Sequence, residues 1–317
     1  MTDTKPIRRI AIIGTGVIGA SWTALYLARG LQVVATDIAP NAEAGLRKFV
    51  ETAWQALTRL GLSPGASQSN LKFTAALAQA VSGVDLVQEN GPERIDFKQK
   101  LYGQLDEVLP PEAMIASSSS GLTMSEIQKG AAVHPERCVI AHPFNPPHLI
   151  PLVEIVGGAK TSEATIRRAE EFYTSIGQRT VRVNREMPGH VANRLQAALW
   201  QEAFNLVKAG VASVADVDAA IAHGPGLRWS LLGPFMNLHL SGGAGGVGAL
   251  FGKPLWQATE GMWRDLGSLT VDADLGALVV AGVSNEVGER DLTEVIRQRD
   301  EVLVKLLKLK SEQNALP

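Results

Sequence analysis

Cysteine and net charge are both scarce in this chain, and each shortage excludes a class of protein. The 317 residues include a single cysteine, Cys138, so neither an internal disulfide nor a structural zinc site of the cysteine type is possible. The six histidines are scattered, and we expect no metal site. The formal net charge of −2 provides no electrostatic basis for binding nucleic acid or an anionic membrane surface. We therefore expect a cytoplasmic protein that has neither nucleic acid nor a membrane as a partner.

Charged residues are also missing from residues 10–28, which follow Arg8 and Arg9. A charge-free stretch after basic residues is typical of a signal peptide or a membrane span. Gly14, Gly16 and Gly19 lie within this stretch, and three glycines so close together would weaken a membrane helix. The stretch fits a strand, a tight turn and a buried helix instead.

Short apolar segments alternate with helical patterns over the first 186 residues. Those typical of buried strands are residues 9–13 (RIAII), 32–36 (QVVAT), 84–89 (VDLVQE), 114–117 (MIAS) and 137–142 (RCVIAH). The alternation predicts an α/β fold in which a Rossmann-type, doubly wound parallel sheet spans residues 1–186. Beyond it, long helical patterns with almost no β signal predict an all-α domain over residues 187–317, with Pro188 at the start of its first helix.

A glycine motif, G-T-G-V-I-G, joins the first predicted strand to the first predicted helix. Gly14 would allow the tight turn, Gly16 would let a pyrophosphate approach the backbone, and Gly19 would let the helix pack on the strand. The start of the helix would then face the phosphates. The motif predicts a dinucleotide site, and the residues expected to contact the cofactor here are Gly14, Gly16, Val17, Ile18 and Gly19.

Asp37 follows the second predicted strand and indicates which dinucleotide binds. A carboxylate at this position accepts hydrogen bonds from the ribose hydroxyls and would repel a 2′-phosphate. No arginine or lysine follows within the next few positions to bind such a phosphate. The sequence therefore favours NAD over NADP as the cofactor.

A second motif, I-A-H-P-F-N-P-P-H-L-I-P-L-V-E-I-V, contains His142 and Glu154. His142 ends one predicted strand, and Glu154 interrupts the next, where an unpaired carboxylate would be costly. A histidine paired with a carboxylate suits the oxidation of an alcohol, because the imidazole takes the hydroxyl proton and the carboxylate stabilises the imidazolium. Spacing alone equally allows a structural core histidine beside a glutamate at a strand edge.

Longer strings extend both motifs along the chain. They are G-T-G-V-I-G-A-S-W, S-S-S-S, A-H-P-F-N-P-P-H-L-I-P-L-V-E, G-P-G-L-R-W-S-L-L-G-P-F-M-N-L-H-L and R-D-E-V-L-V-K-L-L-K-L-K. Together they resemble the L-3-hydroxyacyl-CoA dehydrogenase superfamily, whose pattern is H-x-x-N-P followed by a glutamate. Within it the chain looks most like the λ-crystallin and L-gulonate 3-dehydrogenase branch, and it is also similar to L-carnitine dehydrogenase. The resemblance implies an NAD-dependent oxidoreductase.

The resemblance also implies a role for individual residues at the reacting group. His142 would be the general base and Glu154 its partner, while Ser120 and Asn193 would bind the substrate and hydrogen-bond the reacting oxygen. Which hydroxyl of residues 117–120 faces the substrate stays open. The alternatives are a polar loop for the serines and the polar face of a helix for Asn193.

Further positions match cofactor contacts of the superfamily, and two others are candidates for binding the substrate. Glu93, Lys98 and Asn145 would contact the cofactor, although Glu93 and Lys98 could equally form a solvated helix start. Arg228 and Trp229 are predicted to open a helix of the second domain. Arg228 would form a bidentate pair with a substrate carboxylate, and Trp229 would pack on the substrate or in a dimer core.

The substrate and the assembly follow less directly from the sequence. Members that act on acyl-CoA are often rich in lysine in the helix after the second strand, whereas residues 49–62 here (FVETAWQALTRLGL) contain one base, Arg59, and one acid, Glu51. We therefore expect a free 3-hydroxy carboxylate, L-gulonate-like or carnitine-like, as the substrate. A CoA thioester substrate and a crystallin-like, non-catalytic NAD-binding protein are the alternatives. The apolar helical half predicts a homodimer.

Overall fold

The computed structural model describes residues 6–251 and 254–313 of the chain. The backbone separates into two compact units, Met1–Asn193 and Arg194–Pro317. The predicted domain boundary, after residue 186, lies a few residues before this division and stays a prediction.

Strands and helices alternate in the described part of the first unit. Its strands are β1 (Arg9–Ile13), β2 (Gln32–Thr36), β3 (Leu71–Phe73), β4 (Leu86–Glu89), β5 (Met114–Ser117), β6 (Cys138–Pro143), β7 (Leu152–Gly157) and β8 (Arg179–Val183). Its helices are α1 (Val17–Ala28), α2 (Ala42–Leu60), α3 (Leu77–Ala80), α4 (Ile95–Val108), α5 (Met124–Ile127) and α6 (Glu163–Ser175).

These strands form one sheet in the order β3-β2-β1-β4-β5-β6-β7-β8. Strand β1 lies between β2 and β4 and is parallel to both, so the strand order reverses there, as in a doubly wound sheet. Strand β7 runs antiparallel to β6, and β8 is parallel to β7. The predicted fold class is confirmed, although the sequence pattern does not predict β3, which has three residues, or the largely exposed β8.

Apolar side chains fill both faces of this sheet. Ile10 and Ile12 of β1 belong to a buried cluster that includes side chains of α1, α2 and α6. Ala11 and Ile13 of the same strand belong to a second cluster that includes side chains of α4 and α5. Because successive residues of a strand point to opposite faces, the sheet is covered on both sides, as its continuous apolar strands require.

The remaining chain is helical throughout its described part. Its helices are α7 (Ala192–Lys208), α8 (Val214–His223), α9 (Pro225–Trp229), α10 (Pro234–Ser241), α11 (Pro254–Asp265), α12 (Ala273–Val287) and α13 (Leu292–Ser311). This confirms the all-α prediction for the second part of the chain. None of the helices in the described residues is both long enough and apolar enough to span a membrane.

Two predicted helix starts are wrong. Helix α7 begins at Ala192 rather than at Pro188, because Gly189 and His190 have positive φ angles of 77° and 50° that a helix cannot include. Arg228 and Trp229 end helix α9 instead of opening a helix, because Pro225 already occupies its first position.

Candidate active site

The loop between β1 and α1 is shaped by its glycines. Gly14 has φ +83°, and a Cβ atom on it would lie 2.7 Å from the Asn90 carbonyl oxygen. A Cβ atom on Gly19 would lie 1.9 Å from the Gly14 carbonyl oxygen, so helix and turn touch through backbone alone. A Cβ atom on Gly16, by contrast, would meet nothing within 4 Å. The chain therefore approaches itself closely at the first and third glycines and leaves open space at the second.

Open space at Gly16 lies at the N-terminus of a twelve-residue helix, α1. Gly16 caps this helix without a side-chain hydrogen bond, and the first turn, which contains Val17 and Ile18, holds no acidic residue. The first N–H groups of α1 are therefore available to an anion, and the helix dipole favours one there. The residues present fit the pyrophosphate of a dinucleotide.

Asp37 follows β2 and lies beside the same loop. Its Oδ2 atom accepts hydrogen bonds from the Thr15 backbone N–H at 2.6 Å and from the Thr15 hydroxyl at 2.9 Å, and Oδ1 accepts from the Ala39 N–H at 2.9 Å. Partial burial alone would raise the pKa of Asp37, but these hydrogen bonds outweigh it and lower the pKa. The carboxylate is thus ionised and fixed against the glycine loop, where it can accept from ribose hydroxyls.

His142 and Glu154 face each other across the β6–β7 hairpin. They are directly paired in the antiparallel register, and His142 Nδ1 donates to Glu154 Oε2 at 2.9 Å. Their side chains are 7% and 1% exposed, respectively. Because a carboxylate only accepts, Nδ1 carries the proton, and Nε2 of a neutral ring keeps its lone pair. No described residue hydrogen-bonds that Nε2 atom, which leaves it available as a base.

The second oxygen of Glu154 binds the start of helix α7. Glu154 Oε1 accepts from the backbone N–H groups of Val191 at 2.8 Å and Ala192 at 3.0 Å. Burial alone would raise the pKa of Glu154, but the His142 hydrogen bond and these two N–H groups outweigh it and lower the pKa. The partner of His142 is therefore an ionised carboxylate that is saturated with donors and held in place.

Hydrogen bonds distinguish the four serines of the loop after β5. Ser117 Oγ donates to Glu89 at 2.6 Å, Ser118 Oγ donates to Asn90 at 2.8 Å, and Ser119 Oγ donates to Glu93 at 2.6 Å. The Ser120 side chain has no hydrogen-bond partner within the described ranges, and the residue is half-buried. Ser120 is therefore the serine whose hydroxyl is free to bind a ligand.

Glu93 and Lys98, at the start of helix α4, both bind other groups of the protein. Lys98 is 1% exposed, and its Nζ lies 2.8 Å from both carboxylate oxygens of the fully buried Glu89. Glu93 Oε1 accepts from Ser119 Oγ and from the backbone N–H groups of Ser120, Gly121 and Leu122. The alternative of a solvated helix start is thus wrong for Lys98, which is buried, whereas Glu93 is exposed and its carboxylate binds the serine loop.

The other predicted site residues lie at more open positions. Asn193 is half-buried in the first turn of α7, and its side chain has no hydrogen-bond partner among the described residues. Asn145 is exposed in the loop between β6 and β7. Arg228 is exposed in the second unit, and no ion pair holds its guanidinium within the described ranges. All three side chains are therefore available to a ligand.

Two family models match consecutive parts of this chain. Residues 9–187 match the NAD binding domain of 3-hydroxyacyl-CoA dehydrogenase, and residues 189–265 match the C-terminal domain of the same enzyme. The chain belongs to the 3-hydroxyacyl-CoA dehydrogenase family. It is accordingly an NAD-dependent oxidoreductase, as the sequence motifs predict.

Relatives within the family match nearly the whole chain. An L-carnitine dehydrogenase of Streptomyces coelicolor is 45% identical over 311 residues, covering 97% of this chain and 96% of that one. An L-carnitine dehydrogenase of Pseudomonas putida is 46% identical over 301 residues, covering 95% and 93%. Among solved structures, the NAD+-dependent dismutase 5-formyl-3-hydroxy-2-methylpyridine 4-carboxylic acid 5-dehydrogenase is 32% identical with a TM-score of 0.83, covering 98% and 100%.

The sequence motifs miss one residue beside the His142–Glu154 pair. The His190 ring centroid lies 5.1 Å from that of His142, and His190 Nε2 lies 3.0 Å from the Ser119 carbonyl oxygen. His190 is 3% exposed. Its only signal in the sequence is its place two residues after Pro188.

Proposed function

We propose that this protein oxidises the 3-hydroxyl group of L-carnitine, or of a closely similar small 3-hydroxy acid, to the ketone. The observation that carries the chemistry is the buried His142–Glu154 pair, in which Nε2 of the histidine has no partner among the residues that the structure describes. The substrate follows from near-full-length relatives at about 45% identity that are L-carnitine dehydrogenases. L-gulonate and a 3-hydroxyacyl-CoA thioester are the competing substrates.

His142 is the general base in this proposal. Its Nε2 atom takes the proton of the substrate hydroxyl, while the hydrogen on the carbon that bears this hydroxyl leaves with its electron pair as a hydride. The ring then becomes an imidazolium, and the ionised Glu154 on its other side stabilises that charge. In the reverse direction, the imidazolium returns the proton to the ketone oxygen as the hydride arrives.

NAD, when bound, supplies the acceptor for the hydride. The first turn of α1 with Gly16 would hold its pyrophosphate, and Asp37 would accept from its ribose hydroxyls. Glu93, Lys98 and Asn145 stay predicted as cofactor contacts. Of these, Lys98 would act through Glu89 and the serine loop, because it is buried.

Ser120 and Asn193 complete the proposed site by hydrogen-bonding the reacting oxygen. Both have side chains without a partner in the described part of the chain, whereas the three preceding serines are engaged. Donors aimed at that oxygen polarise the ketone and stabilise the developing charge. Arg228 is proposed to bind the substrate carboxylate, since its guanidinium has no protein anion as a partner within the described ranges.

The protein is proposed to form a homodimer and to be located in the cytoplasm. The helical unit exposes many large apolar side chains, which a second copy would cover. The single cysteine is buried and free, which fits a reducing compartment.

A substrate panel tests the proposed function directly. Purified protein with NAD is assayed for NADH formation on L-carnitine, L-gulonate and an L-3-hydroxybutyryl-CoA thioester, with His142→Gln as the control. We expect the highest kcat/KM with L-carnitine, and turnover lowered by about 10²–10⁴-fold in the variant. A higher kcat/KM on the thioester would overturn the substrate assignment. Absence of NADH with every substrate, together with tight NAD binding, would indicate the crystallin-like alternative.

A further inference from the structure

We infer that His190 is a positioning residue for the proposed reaction: its ring N–H holds the serine loop in place beside the His142–Glu154 pair. This inference rests on the proposed function for its kinetic part. Its structural part concerns the hydrogen bonding of His190 alone.

His190 lies at a bend that the backbone adopts against its preference. Gly189 and His190 have φ angles of 77° and 50°, in the left-handed region that side chains other than glycine seldom adopt. His190 is 3% exposed in this conformation, which implies that contacts of its side chain offset the unfavourable backbone angle.

The hydrogen bond of His190 fixes its tautomer. Nε2 lies 3.0 Å from the Ser119 carbonyl oxygen, and since a carbonyl only accepts, Nε2 must carry the proton. Nδ1 then has only a lone pair, and this buried atom has no hydrogen-bond partner in the described part of the chain. A second proton, on Nδ1, would therefore be buried without an acceptor.

Burial and the neighbouring His142 favour the same neutral state of His190. The groups that interact with it are His142 on β6, Glu154 on β7 and Glu93 before α4. Burial lowers the pKa of His190, while the Ser119 carbonyl and the two carboxylates oppose this effect and are outweighed. Since His190 stays neutral, no second cation lies beside His142 when that ring takes up the substrate proton.

The segment around His190 binds both halves of the site. Gly189 N–H donates to the Ser120 carbonyl oxygen at 3.1 Å, next to the His190–Ser119 hydrogen bond. Immediately after His190, the N–H groups of Val191 and Ala192 bind Glu154 Oε1. His190 thus lies between the contacts that fix Ser120 and those that fix the carboxylate. Loss of its ring donor would let Ser120 shift relative to His142.

The kinetic test compares variants that keep or lose the donor. His190→Phe fills the space without a donor, whereas His190→Gln carries an amide N–H near the position of Nε2. We expect kcat to fall at least about tenfold in His190→Phe, as misplacement of reacting groups does. NAD affinity should be unchanged, kcat should recover in His190→Gln, and the pH profile should keep its shape. His190→Asn tolerates a positive φ but cannot reach the Ser119 carbonyl, so it replaces the phenylalanine variant if that one does not fold.

Three kinetic outcomes would overturn the inference. They are a wild-type kcat in His190→Phe, an equal loss in the phenylalanine and glutamine variants, and a pH profile that becomes flat without His190. The last result would make His190 itself the base.

A spectroscopic test stands even if the protein oxidises no member of the substrate panel. In NMR spectra of the ring nitrogens, His190 should remain the neutral Nε2–H tautomer below pH about 6.5, where a free histidine takes its second proton. A His190 that titrates like a free histidine, or that carries its proton on Nδ1, would contradict the inference whatever the substrate.

Discussion

The two units of the chain differ in where they keep their polar and apolar side chains. In the first unit, charged groups such as Glu89, Lys98 and Glu154 are buried and paired, and the apolar side chains fill two cores. In the described part of the second unit, the buried large apolar side chains are Leu250, Leu275 and Val304. Most of its other large apolar side chains are exposed, Phe235 at 82%.

The two units therefore have different requirements: the first must fix its polar groups, and the second must have its apolar surface covered. Buried charges are costly unless they are fully hydrogen-bonded, so the first unit must hold its polar groups in one arrangement, and the proposed chemistry uses that arrangement. An exposed apolar surface is costly in water until another surface covers it. Changes to the buried charges of the first unit should therefore alter turnover or folding, and changes to the exposed apolar side chains of the second unit should alter assembly.

The largest effect is expected from removing the proposed base. His142→Gln should lower turnover by about 10²–10⁴-fold, the usual result of deleting a general base, while NAD binding and molecular mass stay unchanged. His148→Gln is the matched control in the loop that follows β6, since His148 Nδ1 lies 2.7 Å from Ser21 Oγ. Steady-state NADH formation measures both variants. If only the His148 variant loses turnover, the base has been placed on the wrong histidine.

Removing one member of the buried ion pair should be the next largest effect. Lys98→Met leaves the Glu89 carboxylate buried without its cation, which should lower the free energy of unfolding by about 3–5 kcal/mol. Arg297→Met in the second unit is the control, because Arg297 is exposed and pairs with the exposed Glu294 and Glu301. Exposed ion pairs of this kind contribute little to the free energy of unfolding. Urea unfolding measures the free energy of unfolding of both variants. Equal decreases would contradict the distinction between buried ion pairs in the first unit and exposed ones in the second.

Cofactor choice should change more modestly. Asp37→Ala removes a charged acceptor, worth about 1.5–3 kcal/mol, and should weaken NAD binding about 10- to 100-fold and narrow the preference over NADP. Thr15→Val removes one hydrogen bond to this carboxylate but keeps the charge, so its effect should be smaller. Quenching of NADH fluorescence measures both affinities. Equal NAD and NADP affinities in the parent protein would refute the role of Asp37.

The smallest expected effect concerns assembly. The parent should have the mass of a dimer of the 33.8 kDa chain at micromolar concentrations. Phe235→Asp should weaken the dimer by more than about 1 kcal/mol, several-fold in its dissociation constant, as loss of an apolar interface side chain does. Val133→Asp, at an exposed position of the first unit, should leave the mass unchanged. Light scattering measures the molecular mass of all three proteins, and a monomeric parent would contradict the proposed dimer.

The sequence predicts those parts of the site that depend on local structure. The glycine loop and Asp37 are predictable because a strand, a turn and a helix each leave a short pattern. Strand β8 is not, since its R-T-V-R-V sequence is half polar and mostly exposed. Superfamily motifs point to Ser120, but only hydrogen bonds to Glu89 at the end of β4 and to Asn90 and Glu93 after it show that the three preceding serines are engaged.

Contacts between charged groups and other elements of the fold are also not predicted from the sequence, because they depend on how those elements pack. Lys98 has the sequence context of a solvated helix start, yet Glu89 on β4 makes its burial possible. Glu154 is predicted as the partner of His142, but its contact with the start of α7 is not, because the bend at Gly189 and His190 departs from the helical pattern. In each case, the deciding partner lies on a different element of the fold.

The pairing of His142 with Glu154 inside the β6–β7 ladder also bears on how the protein should lose activity when heated. Neighbouring rungs of the ladder pair Ala141 with Ile155 and Pro143 with Val153, so the two reacting side chains cannot separate unless those rungs open as well. Interior strands of a sheet usually open only with the whole domain. Inactivation by heat should therefore coincide with cooperative melting of the sheet, with no temperature range in which a folded protein has lost its base.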